Sequence, residues 1–164
     1  MKSNDKFLIG IVAGIVLLII VAFGVVLSRP KPEYRAEDTP EGVVHNYLLA
    51  LQQEEYARAY SYLSPTLLGY PRSVESFTEN IRRNSWQFSR NRETDNLNVE
   101  SSRLLGAGAE VTVRRMTFSG GGLFNSGQQI TTFEVTLSKY KGAWKITDSE
   151  KYWLRCWENR GGCN

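Results

Sequence analysis

One histidine, two cysteines and five prolines in 164 residues set the first limits on what this chain does. His45 is the lone imidazole and lies far in sequence from Cys156 and Cys163, the only thiols; two thiolates do not make four zinc ligands, and no metal is expected. The serine-hydrolase, zinc-protease, Walker and dinucleotide fingerprints are all missing, and no cofactor is expected. A net charge of +3 is small for the chain length and argues neither for nor against a nucleic-acid partner, and none is expected. Polar side chains are missing altogether from residues 7–27, FLIGIVAGIVLLIIVAFGVVL.

That run predicts a transmembrane helix. At about 1.5 Å per residue it reaches roughly 30 Å, the thickness of a bilayer's hydrocarbon core. A cleavable signal peptide has a shorter apolar core and small residues at its exit, whereas here the exit reads Val25-Val26-Leu27-Ser28-Arg29-Pro30. The sequence therefore reads as a short tail (1–6), a membrane helix (7–27) touching the lipid bilayer, and a linker (28–38) made semi-rigid by two prolines. Gly10 and Gly14 have the spacing that lets two membrane helices approach; a plain lipid-facing helix is the competing reading.

Basic residues flank the run on both sides, so charge does not orient it. Cys156 and Cys163, separated by a segment containing Arg160-Gly161-Gly162, read as a disulfide, which needs an oxidising compartment; two free thiols are the alternative. On that ground the expected location is the cell membrane, with the C-terminal domain extracytoplasmic.

Residues 39–157 read as one α+β domain, with 158–164 as a tail. Thr39 caps a helix whose first residue is Pro40, and Val43, Val44, Tyr47, Leu48 and Leu51 recur at helical spacing. A second helix carries Tyr56, Ala59, Tyr60 and Leu63 up to Ser64-Pro65. A third starts near Ser73 and runs out near Arg83. After Asn84 the period changes to that of strands. Leu97 and Val99 alternate, Gly106-Ala107-Gly108 turns, and Val111 and Val113 alternate. Met116 and Phe118 fall on the opposite parity, so a β-bulge is predicted near Arg114-Arg115. Phe133, Val135 and Leu137 form the next strand, Tyr140 to Ala143 a tight turn, and Trp144 and Ile146 open a last strand that extends toward Tyr152 and Leu154.

Two stretches carry a resemblance. Pro40-Glu41-Gly42-Val43-Val44 through Leu51, then Glu55-Tyr56-Ala57-Arg58-Ala59-Tyr60 and Leu63-Ser64-Pro65, is similar to the helix–turn–helix opening of small exported members of the nuclear transport factor 2-like superfamily. Lys141-Gly142 followed by Trp144-Lys145-Ile146 is similar to the closing strand pair of that superfamily. The resemblance spans about residues 39–150 and implies a cone-like curved antiparallel sheet wrapped over three helices. It also implies that any chemistry sits inside the cone, on an aspartate, histidine or tyrosine in an apolar pocket.

Candidate site residues follow. Projected at about 100° per residue, His45 falls well off the apolar face of its helix and reads as a surface residue. Asp148 follows Ile146 by two positions and so shares its strand face, which makes it the weak catalytic candidate as a general base at the cone mouth. Tyr47, Tyr60 and Trp144 are candidates to line a ligand pocket, although aromatics at such spacings also serve as core. Arg82, Arg83, Arg90 and Arg92, with Trp86 and Phe88 between them, are candidates for an anionic surface contact, against a solvated connection with two core anchors. Leu123 and Phe124, in the loop 119–127, read either as a partner contact or as residues folded back onto the sheet.

The sequence thus predicts a single-pass anchored, non-catalytic cone-fold domain that binds a protein partner or small ligand outside the cytoplasm. The alternatives are an accessory subunit of a membrane protein complex and an isomerase or dehydratase working through Asp148.

Overall fold

A computed structural model describes the backbone of residues 4–27, 32–88, 95–120 and 126–163, and side chains within 8–24, 32–88, 96–117 and 127–163. The chain divides into two units, Met1–Glu33 and Tyr34–Asn164. The first holds helix α1, Asn4–Leu27. Among the described residues no helix is long and apolar enough to cross a membrane, which corrects the transmembrane reading of residues 7–27. The expected single-pass anchor, and the cell-membrane location that rests on it, are not supported. No atom lies within 4 Å of a Cβ added at Gly10 or Gly14, so among the described residues nothing packs on that pair.

The second unit is α+β. Its helices are α2 (Pro40–Gln52), α3 (Tyr56–Ser61), α4 (Val74–Arg83) and the single turn α5 (Ser85–Phe88). A meander of four antiparallel strands follows, β1 (Asp95–Leu105), β2 (Gly108–Gly120), β3 (Ser126–Tyr140) and β4 (Ala143–Ser149), hydrogen-bonded in chain order. The helix starts are those the sequence marks. Thr39 Oγ1 accepts from Gly42 N at 3.1 Å, and Ser73 Oγ accepts from Ser76 N at 3.3 Å.

Helix α2 is the centre of the core, buried on nearly every side from Val43 to Leu51. Over it lie Ala109, Val111 and Val113 of β2, paired directly with Leu137, Val135 and Phe133 of β3. Leu137 in turn pairs with Ile146 of β4. This inner face matches the alternation legible in the sequence.

The bulges are elsewhere than expected. The β2–β3 register runs unbroken through Arg114 and Arg115. On β1, Val99 pairs with Val113 and Ser101 with Thr112, leaving Glu100 as the extra residue, hydrogen-bonded to Arg114. On β4, Thr136 faces Asp148 and Leu137 faces Ile146, so Thr147 is extra.

The segment 34–38 is docked onto the domain and does not act as a spacer. Asn46, fully buried, accepts from Arg35 N at 2.7 Å and donates to Arg35 O at 2.8 Å. A Cβ at Gly42 would sit 1.9 Å from Ala36 O, so only glycine lets the two backbones meet there. Arg58 stacks 3.3 Å over the Tyr34 ring and hydrogen-bonds Tyr62 at 3.0 Å, while the Tyr34 hydroxyl donates to Glu55 at 2.7 Å.

Beyond β4 the chain does not continue as a strand toward Leu154. It turns and packs as a 3-10 turn, Arg155–Glu158, whose Trp157 is fully buried against Phe77 and Trp153 at ring distances of 5.3 and 4.9 Å. Residues 62–64 bridge to β4, with Ser64 N donating to Ile146 O at 2.8 Å and Ile146 N to Tyr62 O at 2.9 Å.

Candidate functional site

The inner face of β2 does not end at Val113. The same parity carries Arg115, a cation where the pattern has so far placed only apolar residues. Arg115 opens into a cleft of about 430 Å³, walled by Trp86 and Gln87 of α5 and by the segment 149–155. Lys151 and Arg155 bring two further cations to the lining, and Trp86 lies 68% exposed beside them.

The bend that forms the far wall is held from below. The buried Ser149 hydroxyl donates to Lys151 O at 2.7 Å, tightening the chain reversal after β4. Tyr152 then takes φ +56, a left-handed conformation that a bulky residue adopts only under constraint. The constraint is visible: the Tyr47 hydroxyl, fully buried in α2, donates to Tyr152 O at 2.7 Å. Burial drives the Tyr47 phenol pKa far above its ordinary value, so it remains a donor at any ordinary pH. At the outer end Arg155 Nη1 donates to Glu158 at 2.9 Å and to Asp148 at 3.0 Å, and its pKa is raised chiefly by the hydrogen bond it donates to Glu158.

The extra residue at Thr147 settles where Asp148 points. Trp144, Ile146 and Ser149 are buried, and Asp148 is displaced to the outer side, its side chain 48% exposed and paired with Arg155. The reading of Asp148 as sharing the inward face of Ile146 is therefore corrected. Among the described residues the buried polar side chains are Asn46, Ser64 and Ser149, and each is engaged within the fold.

The three pocket candidates are not brought together. Tyr47 holds Tyr152, Tyr60 donates to Pro71 O at 2.8 Å and packs on Tyr70 and Phe77, and Trp144 lies under Lys139 at 5.0 Å. None of them lines the cleft. Of the arginines proposed for an anionic contact, Arg83 pairs with Glu79 at 2.8 Å and Arg82 is exposed in the last turn of α4; Arg90 and Arg92 lie outside the described residues. Phe88 is buried and Trp86 is not, so the stretch supplies one core anchor and one surface aromatic. His45 is half-buried, and Leu123 and Phe124 lie outside the described residues. Cys156 and Cys163 form the disulfide, with a Cα–Cα distance of 5.1 Å.

No family profile and no curated protein matches the chain. Eight chains of solved structures do. One is a SEC-C motif containing protein from Rhodopseudomonas palustris, 18% identical, with a TM-score of 0.48 over 71% of this chain and 81% of its own. Another is the intermembrane space region of the chloroplast protein ARC6, 15% identical, with a TM-score of 0.35 over 74% of this chain and 98% of its own. A third is a de novo designed NTF2 fold protein, 16% identical, with a TM-score of 0.37 over 71% of this chain and 85% of its own. At these identities and scores the likenesses carry no argument about family or activity.

Proposed function

We propose that the unit beginning at Tyr34 is a nuclear transport factor 2-like binding domain without catalytic chemistry of its own. It takes a small ligand carrying an anionic group and a flat apolar part. The observation that carries the reading is the cleft of about 430 Å³ in which Arg115, Lys151 and an exposed indole share the lining with Glu150 and with Arg155, the last already paired with Asp148 and Glu158. A carboxylate or phosphate answers the cations, and an aromatic or planar group answers Trp86. The strained Tyr152 wall supports the same reading, since such backbone is retained where a site needs its shape.

The test is thermal denaturation of the full chain with benzoate and naphthoate, repeated on Trp86→Ala and Lys151→Glu. Both positions lie toward solvent, so both variants fold. A concentration-dependent rise in Tm that both variants lose is expected. A panel that leaves Tm unchanged, or raises it equally in the variants, removes the cleft as the binding site.

A further inference from the structure

A second hollow lies at the other side of the 3-10 turn, independent of the cleft described above. It measures about 450 Å³ and is lined by Tyr70, Arg72, Ser76, Asn80, Arg160 and the adjoining loop backbone. Its lining is mostly polar. No carboxylate lines it, and among the described residues neither Arg72 nor Arg160 has a carboxylate partner. Arg72 and Arg160, both exposed, bring two positive charges to one concavity that has no carboxylate in its lining, and an oxyanion is the ligand that answers both. Ser76 and Asn80 add side-chain donors from one face of α4.

The two arginines come from distant parts of the chain, and the fold fixes the segments that carry them. Gly69 N donates to Trp157 O at 2.8 Å, and a Cβ at Gly69 would meet Cys156 O at 2.2 Å and Asn159 O at 2.4 Å. The segment carrying Arg72 is therefore seated directly on the turn that leads to Arg160. The Cys156–Cys163 bridge closes the loop in which Arg160, Gly161 and Gly162 lie, so the disulfide builds one wall of the hollow.

The geometry points to a binding site for a tetrahedral oxyanion, a phosphate or sulfate group on a small organic body, assembled from Arg72 and Arg160 and held in shape by the disulfide. The hollow has room for more than the anion itself, and Tyr70 offers the rest of the ligand a ring to lie against.

Titration calorimetry of the full chain at low salt, with inorganic phosphate, sulfate and phenyl phosphate as separate probes, tests this. Saturable one-to-one binding is expected of phosphate and sulfate, and of phenyl phosphate in the Lys151→Glu background that blocks the Arg115 cleft, weakened about tenfold or more by Arg72→Ala and by Arg160→Ala. A preference between the phosphate and sulfate probes names the source of the anion. Lys151→Glu, in the other cleft, leaves the affinity unchanged, which separates this site from that one. The double variant Cys156→Ser/Cys163→Ser loses affinity to a similar extent. Absence of saturable heat with all three probes, or affinity unchanged from the parent chain in both arginine variants, overturns the site. Undiminished affinity in the cysteine variant overturns the part given to the disulfide.

Discussion

The hydroxyl of Tyr47 donates to the carbonyl oxygen of Tyr152 at 2.7 Å across 105 residues of sequence. This one bond joins the central helix to the only bend in the described chain where an aromatic residue takes a left-handed backbone. Tyr47→Phe keeps the ring and removes the donor, leaving a buried carbonyl without its partner. A loss of about 1–3 kcal/mol in urea unfolding is expected. The variant should also weaken any ligand held by the Arg115 cleft, because the wall it supports relaxes.

The β3–β4 turn carries strain of the same kind in an exposed place. Lys141 has φ +51 and Gly142 φ +86, the pair of positive values that favours Asn-Gly. Lys141→Asn should raise stability by about 0.5–1 kcal/mol, read as a higher urea midpoint with an unchanged slope.

Alkali should loosen the docked segment 34–38. Burial, followed by the hydrogen bond to Glu55, pushes the Tyr34 pKa from 10.0 up to about 12. A group whose folded value stands above its unfolded value contributes fully below pH 10, and the contribution fades as pH climbs toward 12. Stability should therefore fall across that window by less in Tyr34→Phe than in the parent chain, as followed by circular dichroism.

Opening the disulfide should cost about 2–3 kcal/mol in the loop-entropy picture, since the bridged residues are 7 apart and the closed loop is short. Cys156→Ser/Cys163→Ser and the parent chain compared by chemical denaturation give the number. Gly69→Ala should cost at least as much for a different reason, since backbone oxygens 2.2 and 2.4 Å from the added carbon cannot be turned aside.

Much of the fold could be read from the residues, because helix caps and strand alternation are local signals. Thr39-Pro40 and Ser73 mark their helices, and Val111, Val113, Phe133, Val135, Leu137 and Ile146 mark the buried face. The site was harder to read because it depends on register. A bulge can answer a parity break from the neighbouring strand, so the irregularity expected at Arg114-Arg115 sits opposite, at Glu100. An unforeseen second bulge at Thr147 turned Asp148 outward and Ser149 inward. The available clue was Arg115, a charge in step with Val111 and Val113; it indicates a face that stops being core and becomes the lining of a cleft. Tyr34 was assigned to a linker because nothing local announces a cation–π contact with Arg58, 24 residues on. The apolar run 7–27 suggests a bilayer span through composition alone, whereas among the described residues no helix is long and apolar enough to make one.

The bridge between Leu63 and Ile146 has a consequence for how copies of this chain can meet. Residues 62–64 occupy part of the outer hydrogen-bonding groups of β4, so a visiting strand finds that flank obstructed. The opposite flank is β1, kinked at Glu100 and bearing Arg103 with its side chain 70% exposed. Strand-to-strand joining through one accessible flank ends with two molecules face to face, and a ladder of many copies has nowhere to grow.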